Sequence, residues 1–317
     1  MKKIIKITQA DSAPFHLSWV INNICTNKCS YCPSDLHAGT NHNYEWENAK
    51  VFFKELFRRY PKIHCSVSGG EPSVSPFFPE ICKILYEAGH TIGVTSNAAK
   101  PVAYWADISK YLNYICFSYH AEFPDKNFIE KIDAASQNTF VTARIMMHSK
   151  KWDQCLAVYE ALMEKNTCFV EPVRMLNWGG VNASTESYDY TPEQLAWFNT
   201  HTGNHSTLVL TQFADRPKLE LFADFTLEDG SVDVHGNAVE YINRGLTNFK
   251  GFVCQAGLKG LFIDWLGDVH LANCCIGGPI GNINVPKYIG WPNSPVICDK
   301  DLCHCASDVN LNKWIMK

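Results

Sequence analysis

Apolar positions along the chain alternate between short and long patterns. Residues 17–21 (Leu17-Ser18-Trp19-Val20-Ile21) form a short β-prone run. Residues 46–59 follow with helical spacing, and Trp46, Ala49, Val51, Phe52 and Leu56 are the expected inner face. The same alternation then repeats. Strands are predicted at 63–68, 91–95, 114–118, 140–147 and 168–173. Helices are predicted at 77–88, 102–112, 125–135 and 152–165, the first of them stopped by Gly89 and the third opened by Pro124. Six strands alternating with five helices predict βαβ units and a parallel sheet.

After residue 180 the pattern changes. Residues 181–217 predict a polar loop and one helix opened by Thr191-Pro192-Glu193. From 219 onward the chain reads as short strands and turns, with Glu228-Asp229-Gly230 as a turn signal. A short helix is expected over 240–245, and a hairpin over 261–271 turning near Leu266-Gly267-Asp268. The expected organisation is therefore a barrel-forming part at 1–176, a linker with one helix at 177–217 and a small domain at 218–317.

Chemistry-bearing residues gather at the ends of the predicted strands. Three cysteines lie in Cys25-Thr26-Asn27-Lys28-Cys29-Ser30-Tyr31-Cys32, Ser68-Gly69-Gly70-Glu71-Pro72 ends the next strand, and Ser96-Asn97 and Ser118-Tyr119-His120 end the two after that. In α/β barrels this edge is where sites are built, and six units predict an open, partial barrel. Close-set thiolates can wrap one iron–sulfur cluster from a single loop, and three leave one iron open to a small molecule. A zinc loop or a chance cluster of buried thiols fits the spacing as well.

Composition narrows the field. At 317 residues and 46% hydrophobic, the chain has ample material for a core. Its net charge of −4 argues against a nucleic-acid or anionic-membrane partner. No apolar run approaches a membrane span, and Lys6 and Gln9-Ala10-Asp11 interrupt the start too early for a signal peptide. A cytoplasmic protein is expected, in which fourteen cysteines speak for metal or redox chemistry. Cys65, Cys82, Cys116, Cys155 and Cys168 are scattered in apolar stretches and read as core residues.

With these strand ends in place, the CxxxCxxC of Cys25, Cys29 and Cys32, with Tyr31 before the last, resembles the signature of the radical S-adenosylmethionine (radical SAM) superfamily. Ser68-Gly69-Gly70-Glu71-Pro72 resembles its second motif. The resemblance covers roughly residues 15–175. It implies an α/β fold, a partial (β/α)6 barrel of radical SAM type, with a [4Fe–4S] cluster on the three thiolates and S-adenosylmethionine (SAM) chelating the open iron. It further implies reductive cleavage of SAM and removal of a hydrogen atom from a substrate C–H.

The resemblance also implies roles for individual residues. Ser68, Gly69, Gly70 and Glu71 would meet the SAM amino group, with glycine permitting close backbone approach, and Glu71 has a strand-end structural alternative. Ser96 and Asn97 would meet the ribose. Ser118 and His120 would meet SAM or substrate. Arg144 would pair with the SAM carboxylate, or serve as a barrel-rim arginine. Tyr31 would lean on the adenine or simply pack.

Cys254, the 261–271 hairpin, Cys274-Cys275 and Cys298-x4-Cys303-x-Cys305 resemble the twitch and SPASM extensions of that superfamily. These imply a small C-terminal iron–sulfur domain with one auxiliary [4Fe–4S] cluster on Cys254, Cys274, Cys303 and Cys305, with Cys298 as a further candidate. The tight 303/305 pair departs from the usual spacing and leaves the choice among the last three open. A structural zinc is the alternative. Cys275 is a spare, read as a hydrogen-atom donor, an exchanged ligand or a buried thiol. His270 and His304 read as hydrogen-bond partners or surface residues.

The expected activity is hydrogen abstraction from a peptide or small molecule, giving oxidation or epimerisation, with electrons from a reductant such as flavodoxin or ferredoxin. About sixteen residues precede the first predicted strand, which leaves no room for a leader-peptide-binding domain and favours a small molecule or a separately delivered peptide. The alternative is a non-catalytic iron–sulfur or zinc module on a degenerate barrel.

Overall fold

The computed structural model describes residues 2–39, 43–175, 189–201 and 223–316. The chain begins with two strands, β1 (Ile4–Gln9) and β2 (Phe15–Val20). It continues through α1 (Trp46–Arg59), β3 (Ile63–Ser68), α2 (Phe78–Glu87), β4 (Thr91–Ser96) and α3 (Val102–Ile108). Next come β5 (Tyr114–His120), α4 (Phe128–Ser136), β6 (Phe140–Met147), α5 (Trp152–Lys165) and β7 (Phe169–Arg174). This is the predicted β/α alternation, with one addition: β1, which has no counterpart in the sequence pattern.

The second half holds α6 (Pro192–His201), β8 (Ala223–Leu227), β9 (Val232–Asp233) and α7 (Ala238–Asn243). Short strands follow: β10 (Phe252–Cys254), β11 (Gly260–Ile263), β12 (Asp268–His270), β13 (Pro279–Asn282) and β14 (Val296–Ile297). The chain closes with α8 (Ala306–Val309) and β15 (Lys313–Ile315). Of the expected linker 177–217, residues 189–201 carry α6; both expected domain boundaries lie outside the described residues.

Two compact units emerge, each drawn from separate stretches of chain. The first comprises Met1–Val20, Asn43–Ser66 and Pro217–Lys317. In it, strands run in the order β14-β10-β15-β1-β8-β9. β1 pairs antiparallel with both β8 and β15, opposing Ile7 to Phe225 on one side and to Lys313 on the other. Ile4, Ile7, Phe225, Phe249, Phe252 and Val309 form the core against this sheet. Beside β2, β11 runs parallel, and the predicted hairpin is present as β11–β12 with β13 added.

Helix α1 buries Trp46, Ala49, Phe52, Phe53 and Leu56. Val51, expected to face inward, is 51% exposed. At 100° per residue a stripe through 46, 49, 53 and 56 places 51 on the opposite side, and Phe53 packs on Trp19 instead, ring centroids 5.2 Å apart.

The second unit, Ile21–His42 and Val67–Arg216, contains parallel β4-β5-β6-β7. Alternation along β5 decides what faces where. Phe117 is wholly buried, with Trp105 of α3 set edge-on at 4.7 Å and Phe128 of α4 at 6.4 Å. Cys116, Ser118 and His120 point to the other face, where their registered neighbours on β6 are Thr142, Arg144 and Met146. Among the described residues no helix is long and apolar enough to cross a membrane. All fourteen cysteines are free thiols, and Cys65, Cys82, Cys116, Cys155 and Cys168 are buried.

Candidate active site

The three-cysteine loop leaves the end of β2 and is fixed at its root by the Gly-Gly-Glu strap. Gly70 and Glu71 donate backbone N–H to Asn22 O (2.9 Å) and Ile24 O (2.7 Å), and Asn22 Nδ2 returns a bond to Glu71 O (3.1 Å). The glycines admit this approach. A Cβ on Gly70 would stand 2.4 Å from Ile24 O and 2.6 Å from Leu36 O, and one on Gly69 (φ +152°) 2.5 Å from Asn22 O. The close contact they allow is thus with the loop's own backbone.

Glu71 is fully buried. Its carboxylate accepts from Ser73 N (2.9 Å), Ser96 Oγ (2.7 Å) and Asn97 N (2.7 Å). Burial pushes the carboxyl up, against the pull of these donors. Glu71 thus ties the ends of β3 and β4 together. Ser96 is committed as well: it donates to Glu71 and accepts from Ala98 N (3.0 Å). Ala98 adopts a left-handed φ of 62° and is held there by Lys131 Nζ on its carbonyl (2.7 Å); Lys131 is paired in turn with Asp125.

Asn97 turns back to the cysteines. Its Nδ2 donates to Thr26 Oγ1 (3.1 Å) and lies 3.5 Å from Cys25 Sγ, while its Oδ1 is buried with no partner among the described residues. A buried acceptor of this kind suits a donor group on a ligand.

A second clamp holds the far side of the loop. Ser30 donates its N–H (2.8 Å) and hydroxyl (2.5 Å) to Glu122, whose carboxylate also faces His148 Nε2 at 3.4 Å. Tyr31 Oη meets His120 Nδ1 at 2.5 Å, and burial lowers the His120 imidazole to about 4, so it is neutral there. Sequence patterns did not single out Asn22, Glu122 or His148, which lie in no motif.

Burial raises all three loop thiols, Cys29 to about 12 and Cys32 to about 11, and each is raised further by its neighbours' charge. Among the described residues no three His, Cys, Asp or Glu side chains converge tightly enough as they stand to hold a single ion. A cubane takes one thiolate per iron and asks for a wider set, which suits three thiols spread along one loop.

Arg144 donates Nε to Glu171 Oε2 (2.7 Å), a partner on β7 that sequence analysis missed. Ser118 stands beside Arg144 in register. Ser68 closes β3, its carbonyl accepting from Ile21 N (2.9 Å).

In the first unit, Cys254, Cys274, Cys298 and Cys303 line one small pocket with Ile276, Lys300, Asp308 and Lys313. Cys254 ends β10, and the Cys303 N–H and C=O are both bound by Thr247, each at 2.9 Å. Burial raises Cys254, Cys274 and Cys303, Cys274 to about 11. Four soft donors on one wall suit an iron–sulfur cluster, whereas as they stand they do not converge on a single ion such as zinc. Cys305 is not on that wall; its thiol meets Ser307 Oγ at 2.9 Å. Cys275 is exposed, with φ 51°. Near it, His270 Nε2 lies 3.4 Å from Asp264 Oδ2, and Asp264, then Cys275, hold His270 up to about 10. His304 is exposed.

Residues 19–173 match the Radical SAM superfamily. No curated protein matches the sequence. Among solved structures, Streptococcus suis SuiB bound to S-adenosylmethionine aligns with a TM-score of 0.52 at 13% identity, over 87% of this chain and 64% of SuiB. SuiB bound to its precursor peptide SuiA gives 0.54 at 13% identity, over 87% and 65%. Native anSMEcpe with bound AdoMet and Kp18Cys peptide gives 0.50 at 15% identity, over 85% and 78%. The chain thus spans under two thirds of SuiB. At these identities the likeness concerns the fold, which is the α/β partial barrel of radical SAM type expected from the strand pattern.

Proposed function

We propose that this chain is a radical SAM enzyme acting on a peptide C–H bond. The carrying observation is the three-cysteine loop in the region that matches the radical SAM family, fixed at its root by Gly70 and Glu71 and touched by Asn97 Nδ2, whose Oδ1 is buried with no partner among the described residues. Cys25, Cys29 and Cys32 would hold a [4Fe–4S] cluster, and Asn97 Oδ1 would accept from the SAM amino or ribose groups. When bound, cluster and SAM together supply a 5′-deoxyadenosyl radical that removes a hydrogen atom from substrate. The chain's own part is to orient: Glu122 and His120 hold the loop, and Arg144, with guanidinium N–H groups beyond the one on Glu171, offers a carboxylate contact.

A peptide substrate is supported by SuiB with SuiA and anSMEcpe with Kp18Cys peptide, both of this fold. The outcome we propose is oxidation, with the electron left on substrate passing to an auxiliary [4Fe–4S] cluster on Cys254, Cys274, Cys298 and Cys303. The wall those four thiols share supports this set over one including Cys305. Epimerisation is the second reading, favoured by the exposed Cys275 beside His270 as a hydrogen-atom donor. The organisation proposed remains a barrel at 1–176, a linker at 177–217 and an iron–sulfur domain at 218–317, in a cytoplasmic protein reduced by flavodoxin or ferredoxin.

The test is anaerobic reconstitution, dithionite reduction and assay for 5′-deoxyadenosine. Product from the wild type, and none from Cys29→Ala, is expected. A fully loaded wild type that yields none would mean a binding module rather than an enzyme. Candidate peptides then separate the outcomes: oxidation by two electrons, or solvent deuterium in an isomer that is lost in Cys275→Ala.

A further inference from the structure

We infer that Lys313 sets the reduction potential of the metal centre held by Cys254, Cys274, Cys298 and Cys303, as a fixed buried cation favouring its reduced state. This inference rests on the auxiliary-cluster reading above.

Lys313 is 2% exposed, a rare state for lysine unless every donor is met. Its Nζ donates to Asp308 O, Val309 O (3.3 Å) and Leu311 O (3.3 Å). Three acceptors around one nitrogen call for the ammonium, because a neutral amine has only two N–H. The head group also lies 5.3 Å from the Phe249 ring centroid. Its hydrogen-bond acceptors are neutral carbonyls, the Asp308 carboxylate lies within reach of its charge, and the side chain lines the same pocket as the four thiols, together with Lys300.

One-electron reduction, fed by a low-potential reductant, adds one negative charge to a cluster already anionic with its thiolates. A cation on the wall stabilises that added charge, more strongly in a dry cavity than in water. Asp308 opposes it from the same wall, where its carboxylate accepts from Asn273 Nδ2 (2.8 Å) and Cys274 N (3.0 Å). Capping the last carbonyls of α8 is the purely structural role open to Lys313, and it would move stability without moving a potential.

The experiment uses the full chain with Cys25, Cys29 and Cys32 all changed to Ala, so that only the second site is loaded. Iron is counted, and the potential is read by an EPR-monitored redox titration. Lys313→Met is expected to shift the midpoint to more negative values, and Asp308→Asn to more positive ones. Asp308→Asn leaves Lys313 in place and carries the test should Lys313→Met fail to fold. Loaded variants titrating at the parent's potential would overturn the inference. A parent that takes up no iron would instead overturn the auxiliary-cluster reading on which it rests.

Discussion

Ser30, lying between Cys29 and Cys32, gives both its backbone N–H and its hydroxyl to the carboxylate of Glu122, 92 positions along the chain. The cysteine loop is thus held by an acid that belongs to no cluster motif. We expect Glu122→Gln and Ser30→Ala each to lower iron uptake at Cys25, Cys29 and Cys32. In a double-mutant cycle the two should couple by about 1 kcal/mol in urea unfolding, reduced from the value of a buried charged bond because Ser30 is exposed. Strict additivity would show that the contact does not hold the loop.

Gly70→Ala would drive a methyl into Ile24 O and Leu36 O. Relieving that clash moves the root of the cysteine loop, at about 1–3 kcal/mol. Thermal unfolding and iron content should fall together. Gly89→Ala is the control: its Cβ meets nothing within 4 Å, so only left-handed strain at φ +75° remains, about 1 kcal/mol with full iron uptake.

Glu71→Gln keeps size and loses an acceptor. An amide N–H₂ must then face one of Ser73 N, Ser96 Oγ or Asn97 N, all donors, in a fully buried place. A loss of about 2–3 kcal/mol is expected by chemical denaturation. SAM affinity should weaken too, since Asn97 would no longer be fixed. Unchanged SAM binding would detach the Glu71 network from the site.

Cys298→Ala should abolish iron at the second site, taking the fully reconstituted chain from about eight irons to about four, whereas Cys305→Ala should leave about eight. The reverse pattern would restore Cys305 as the fourth ligand.

Acid should destabilise the first unit. His16 bonds Ser66 Oγ at 3.0 Å and lies 5.6 Å from the His64 ring. Burial lowers His16 from 6.5 to about 4, and burial with His16 nearby lowers His64 to about 3. The unfolded imidazoles bind protons near 6.5 while the folded ones stay neutral. Stability from this pair is therefore complete above 6.5 and is lost as pH falls through 4, about 3 kcal/mol from His16 alone. Urea midpoints between pH 7 and 4 should show a shallower slope in His16→Gln than in wild type. Equal slopes would refute it.

The strands and helices of the barrel were readable because each carries its own period, and the strand-end chemistry followed from where those periods stop. β1 was not readable: six residues with two lysine-flanked isoleucines carry little local signal, and their partners lie at 223–227 and 313–315. The glycines were expected to let backbone approach SAM; the approach the fold shows is to Asn22 and Ile24 of the cysteine loop, and sequence cannot name that partner. Cys298 and Cys305 are the same residue type seven positions apart; only the fold, which bonds Cys298 N to Phe252 O and sets the Cys305 thiol against Ser307, tells them apart. Glu122 sits in an ordinary turn and gains its meaning from Ser30 and His148, both far from it in sequence.

The antiparallel register of Ile7 with Lys313 has a consequence for the order of assembly. β1 is made long before β15, and Gln9 N–H closes on Asn312 Oδ1 at 2.6 Å, 303 positions further on. Closing such a distance is slow, so β1 must wait, that edge unpaired, until β15 arrives. The same event carries Lys313 to the four-thiol cavity. Metal capture there should then be among the last steps of folding, and iron supplied only to early intermediates should reach the Cys25–Cys32 loop first.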